Sequence, residues 1–133
     1  MYSGRVVDDK LGNTTTLNRA AAWVQACEQH RDCNTPSSLL PTRVVDVGED
    51  QMNPVVRLVE PSTGTSERYI ALSHCWGRSG LPTTTKENKG QRLDSISLEE
   101  MSKSFKDAIV VTRFLDIRYI WIDSLCISIV NSP

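Results

Sequence analysis

Apolar residues recur along this chain with two different periods, and the changes between them mark out its elements. Leu17, Ala20, Ala21, Val24 and Cys27 fall at i, i+3, i+4, i+7 and i+10. This is one stripe of a helix of about three turns, with Thr16 as N-cap and Cys27 packing inward. The polar stretch Gly12-Asn13-Thr14-Thr15-Thr16 before it has little to bury, so residues 1–16 read as a flexible lead-in. β-branched residues then cluster over 43–47 and 55–60, separated by the turn chemistry of Gly48 to Pro54. The spacing predicts a β-hairpin, which makes 17–68 a helix-plus-hairpin region.

Residues 69–76 (Tyr-Ile-Ala-Leu-Ser-His-Cys-Trp) read as a buried strand closed by Gly77, and 78–94, rich in Gly, Pro and Thr, as a long surface loop. Met101, Phe105, Ala108, Ile109, Thr112 and Leu115 return to helical spacing, and Ser97 with Glu100 supplies a Ser-x-x-Glu start, so a second amphipathic helix runs to about Asp116. Residues 119–123 (Tyr-Ile-Trp-Ile-Asp) form an aromatic, β-branched run too short for a helix. Strand, helix, strand is a βαβ unit of an α/β fold, and its two strands should lie parallel. In such sheets ligands bind beyond the carboxyl ends of the strands. Those ends carry Ser73, His74, Cys75 and Trp76 on one strand and Asp123, Ser124 and Cys126 on the other.

Charge narrows the class of partner. Fifteen basic and sixteen acidic side chains in 133 residues give a formal charge of -1, which offers no electrostatic footprint for nucleic acid or an anionic membrane. The first ten residues lack the apolar run of a secretory signal and no span-length apolar stretch follows, which points to a cytoplasmic protein. In that compartment the four cysteines are thiols or ligands, not a disulfide framework.

Several clusters invite chemistry. Cys27-x-x-His30-x-x-Cys33 offers three metal ligands where a closed zinc site wants four, so the end of a helix is the preferred reading over a metal site. Ser73, His74 and Cys75 are adjacent on a strand, point to alternate faces and cannot serve one another as nucleophile and base. A Cys126 thiolate activated by His74 is weighed against inert packing of a buried thiol, and packing is preferred. Asp123 ends an apolar strand, where a carboxylate must be paired, cap the next backbone segment or serve a site. Gly77-x-x-Gly80 lacks the Lys-Ser or Lys-Thr ending of a phosphate loop, and Trp76 and Trp121 suit a stacking role less well than a core one.

The run Tyr69-Ile-Ala-Leu-Ser-His-Cys-Trp-Gly77 is followed in order by three further segments. These are Thr84-Thr85 with Asn88, then Phe105-Lys-Asp-Ala-Ile109 with Thr112-Arg113, then Tyr119-Ile-Trp-Ile-Asp-Ser-Leu-Cys-Ile127. Together they resemble the fungal heterokaryon-incompatibility (HET) domain family. Cys27, His30, Cys33 and the run Leu40 to Val47 look like the lead-in that commonly precedes that domain. The resemblance implies fungal non-self recognition leading to cell death, protein partners or self-association, and a partial parallel sheet similar to Toll/interleukin receptor domains. Some domains of that wider class cleave NAD, which makes NAD a cofactor by analogy only. The candidate binding site at the shared strand edge is Ser73, His74, Trp76, Gly77, Asp123 and Cys126, with the catalytic residues unassigned and Asp123, Ser124 and His74 as candidates.

Two departures from the family pattern stand out. Ser102 replaces the Pro that usually opens the helix, and Ser128-Ile129-Val130-Asn131-Ser132-Pro133 replaces a Gln, an acidic pair and a Trp-x-x-Glu helix. On that reading 69–133 is a truncated HET domain, inactive alone. The alternative is a non-enzymatic adaptor or decoy that pairs with full-length HET-domain proteins.

Overall fold

The computed structural model describes residues 13–33, 38–48, 55–74 and 82–129, and for 128 and 129 the backbone only. Residues 1–35 and 36–133 form two compact units. Cys75, Trp76, Gly77 and Gly80 lie outside the described residues, as does most of the expected lead-in.

The first unit contains helix α1 (Thr14–Glu28). It starts two residues before the expected cap, because Asn13 Oδ1, and not Thr16, accepts a backbone N–H, that of Thr16, at 2.8 Å. Residues 14–16 are therefore helix and not lead-in. No residue of α1 is buried. Leu17, Ala20, Ala21 and Val24 are half-covered, whereas Cys27 is exposed and does not pack inward. Periodicity reports which face is apolar but not whether anything covers it.

The second unit is built on a four-stranded mixed sheet in the order β2-β1-β5-β3. Its strands are β1 (Val44–Asp46), β2 (Arg57–Val59), β3 (Tyr69–Leu72) and β5 (Tyr119–Ile122). The expected hairpin is present, with Val44 opposite Val59 and Asp46 opposite Arg57. β3 and β5 run parallel in the register Tyr69 to Tyr119 through Leu72 to Ile122, as the βαβ reading requires. The sheet is not parallel throughout: β1 runs antiparallel to β5, with Val45 opposite Ile120. Hairpin and βαβ unit thus share one sheet. All three residues of β1 are buried, the mark of an inner strand covered on both faces. β3, at the end of the sheet, is only half-covered, with Ala71 exposed.

The stretch read as a surface loop is partly ordered structure. It holds β4 (Thr84–Thr85), which pairs in parallel with β6 (Ser128–Ile129), and a short helix α2 (Lys89–Asp94). Asn88 fixes the turn between them: its Oδ1 accepts Thr85 N–H at 2.8 Å, its Nδ2 donates to Thr83 O at 2.9 Å, and its own N–H donates to Thr85 Oγ1 at 3.3 Å. Threonines and an asparagine, the composition of a surface loop, satisfy one another in this local network.

Helix α3 (Lys103–Phe114) buries Phe105, Ile109 and Thr112, the predicted stripe, against the sheet. Its start differs from expectation. Ser97 and Glu100 frame a single 3-10 turn, Leu98–Glu100, in which Ser97 makes no side-chain cap. The helix is capped instead by Ser102, whose Oγ accepts Phe105 N–H at 3.3 Å. The Ser that departs from the family pattern is therefore an N-cap. At the other end Asp116 takes φ 57, while Asp116 N–H donates to Arg113 O and Ile117 N–H to Thr112 O, a Schellman closure. The core gathers Val45, Val47, Val56, Leu58, Phe105, Ile109, Ile120, Ile122 and Leu125.

Candidate functional site

The parallel register sets the site. Leu72 lies level with Ile122, so the chain leaves both strands at the same edge. Beyond β3 come exposed Ser73 and then His74; beyond β5, Asp123 opens the one-turn helix α4 (Asp123–Cys126). His74 Nε2 stands 3.3 Å from Asp123 Oδ1. The expected juxtaposition of two strand tips is thus an imidazole beside a carboxylate.

His74 is held by packing. Its side chain is 10% exposed, and its ring meets the edge of Phe105 at 5.0 Å between centroids and 88° between planes. Neither ring nitrogen is in line for a hydrogen bond in the structure, and both are buried. Asp123 Oδ1 accepts Ser124 N–H at 2.7 Å, and Asp123 O accepts Ile127 N–H at 2.9 Å, which fix the turn of α4. Asp123 therefore caps the following backbone and faces His74 at the same time. The sequence had posed these as alternatives, and one carboxylate has oxygens enough for both.

Ser124 is fully buried, and its Oγ has no hydrogen-bond partner. Cys126 is also buried, and burial pushes its thiol up to about 11, against the smaller opposing effects of the Ile122 N–H and of Arg43. A thiol so held stays protonated at neutral pH, which is the state of a packing group and not of a nucleophile. Arg43, from just before β1, donates its Nε to Cys126 O at 2.7 Å. This bond ties the start of β1 to the end of α4. An imidazole and a carboxylate in contact can hold and move a proton, and a buried hydroxyl without a partner can meet a ligand's polar group.

Residues 69–132 match the family described as "Heterokaryon incompatibility protein (HET)". This segment of the chain belongs to the HET family. The matched span contains Ser73, His74, Asp123, Ser124 and Cys126, hence the whole edge just described, while β1 and β2 of the same sheet lie before it. No curated protein and no solved structure matches the chain.

The HET segment also holds a residue that the sequence reading passed over. Arg92, on α2, is buried; its Nη2 reaches Glu100 only at 4.0 Å, and its Nε and Nη1 have no partner. It lines a polar cleft of about 220 Å³ with Asn88, Gln91, Ser95, Ser97 and Glu100. Nothing in the local sequence pattern distinguishes this Arg from a solvated one once α2 is missed. Trp76 and Gly77, expected at the edge, lie outside the described residues. Cys27, His30 and Cys33 belong to the first unit. Among the described residues no helix is long and apolar enough to cross a membrane.

Proposed function

We propose that this chain acts in fungal heterokaryon incompatibility, as a HET-domain protein whose recognition of a non-self partner feeds a cell-death response, with His74 and Asp123 as its reactive pair. The family match over 69–132 carries the reading, and both residues fall inside it. The parallel β3–β5 pair crossed by α3 supports the finer likeness to a Toll/interleukin receptor-like arrangement, with the antiparallel β1 as its departure. A second reading, a non-enzymatic module that pairs with other HET-domain proteins, is favoured by the position of β3 at the end of the sheet, where strand addition can extend it.

The test is expression of the chain in a fungal strain that carries a competent HET-domain protein, scored as cell death and as co-purification of the two proteins. His74→Ala and Asp123→Ala are compared with the unaltered chain. Death when the unaltered chain meets the competent partner, lost in both variants with their circular dichroism unchanged, is the expected result. Death that survives both substitutions removes the pair from the mechanism. Co-purification without any effect on death favours the pairing module.

A further inference from the structure

Outside the HET segment, Cys27, His30 and Cys33 form a cluster with no part in the sheet-edge site. The backbone brings them together. His30 N–H donates to Cys27 O at 3.0 Å and Cys33 N–H to His30 O at 3.1 Å, two successive turns of three residues each. Residues spaced by three in such turns eclipse one another, so the three side chains stand on one side of the chain. Their ligand atoms all lie within 4.8 Å of one another, and Cys33 Sγ is 3.9 Å from His30 Nδ1.

We propose that Cys27, His30 and Cys33 bind one zinc ion, with water in the fourth position. Zinc takes thiolate sulfur at about 2.3 Å and imidazole nitrogen at about 2.0–2.1 Å in tetrahedral geometry, which sets ligand atoms roughly 3.4–3.8 Å apart. The cluster is therefore within about 1 Å of that arrangement, a gap that rotamer changes of exposed side chains can close. All three residues are exposed, so the metal has an open entry path and no core must be disturbed. On binding, the two thiols release their protons to solvent, and the two thiolates neutralise the dication. The soft sulfur pair selects zinc over magnesium or calcium, which take oxygen ligands.

Cys27, expected to pack inward at a plain helix end, is exposed beside His30 and Cys33 and is open to a metal. The fourth position falls to water because no other Cys, His or carboxylate joins the cluster among the described residues.

The full chain, kept reduced, is titrated with Co²⁺ and then competed with Zn²⁺, reading the thiolate-to-cobalt charge-transfer absorption and its displacement. One equivalent is expected, with loss of the charge-transfer band in the Cys27→Ser/Cys33→Ser variant. His30→Ala should weaken zinc binding at least about 10- to 100-fold, the loss that even an outer-shell partner's removal causes. Because the three side chains are exposed, circular dichroism of the variants should match the parent. Absence of saturable binding to the reduced chain overturns the proposal, as does binding of unchanged strength in the double Cys variant, which would assign the metal to other residues.

Discussion

Asp46→Asn should be among the most damaging single-atom changes available in this protein. Asp46 is 2% exposed on an inner strand, and its carboxylate is saturated with donors. Arg118 Nε lies 3.2 Å from each oxygen and Nη2 3.0 Å from Oδ2, Gly48 N–H donates at 2.8 Å, and Arg57 Nε stands at 3.6 Å. The amide keeps one acceptor, enough for Gly48, but sets an NH2 against guanidinium donors and removes the charge that balances them. Breaking a buried ion pair from one side costs about 3–5 kcal/mol. Arg118 and Arg57 are 39% and 47% exposed, so water takes over part of their solvation. The expected loss is therefore at or below the lower bound, roughly 2–3 kcal/mol. Urea unfolding measures it: with a slope of about 1–3 kcal/mol/M, the midpoint should fall by on the order of 1–2 M. Arg118→Gln completes a double-mutant cycle in which the two losses should be far from additive. Strictly additive losses, or a loss for Asp46→Asn below about 0.5 kcal/mol, would refute the reasoning that Asp46 and Arg118, which ends the loop into β5, form one coupled pair.

Three further expectations follow from local geometry. Ser102→Ala should cost about 1 kcal/mol by removing the true cap of α3, whereas Ser97→Ala should stay within about 0.5 kcal/mol; equal losses would restore the helix start read from the sequence. Asp116 sits at φ 57, so Asp116→Gly should raise Tm by a few degrees and Asp116→Val should lower it, and thermal unfolding that ranks Val at or above Gly would contradict the Schellman closure. The Cys126 thiol is pushed from 9.0 up to about 11 in the folded chain, so the native state keeps a proton that the unfolded chain gives up. The stability it supports is whole below about pH 9 and falls through the window to about pH 11, by about 1.4 kcal/mol per unit. Cys126→Ala should flatten that slope in urea midpoints measured across the window, and an unchanged slope would show the thiol to be accessible.

The legible parts of the molecule were those that a single element's pattern records. The stripe from Met101 to Thr112 named the buried face of α3, and the runs around Ile70 and Ile120 named two strands whose parallel pairing follows from the helix between them. That pairing in turn placed His74 near Asp123. What stayed hidden depends on partners distant in sequence. Nothing in Val44-Val45-Asp46 says that the hairpin joins β5, because strand order is a property of the assembled sheet. Asp46 and Arg118 are 72 residues apart, and neither is unusual alone. The start of α3 differs from expectation because Ser97 and Ser102 both offer cap chemistry, and only Ser102 accepts a helix N–H in the fold. Residues 82–94 were lost to a compositional rule: threonines and an asparagine that satisfy one another spell a loop in sequence and a fixed turn in space.

The contrast between the two carboxylates of this sheet bears on where function lies. Asp46 ends β1 and Asp123 directly follows β5, and each faces a basic side chain. At Asp46 the Arg118 guanidinium and the Gly48 N–H hydrogen-bond the two oxygens and Arg57 adds an ion pair at 3.6 Å, an arrangement that is complete without any ligand. At Asp123 the facing imidazole is close but out of line, its two nitrogens are buried without a hydrogen bond, and the hydroxyl of the next residue, Ser124, is buried in the same condition. His74 Nε2 keeps the Asp123 carboxylate at 3.3 Å, whereas His74 Nδ1 and Ser124 Oγ have no partner, and an unpartnered buried group costs about 1–3 kcal/mol. A fold under selection for stability alone would remove them by Ser124→Ala or by an apolar residue at 74. Their position at the carboxyl ends of two parallel strands, inside the HET span, fits a site whose polar groups are completed by what binds there. The saturated carboxylate is complete as a structural group, and the carboxylate beside unpartnered groups is the one on which the proposed function rests.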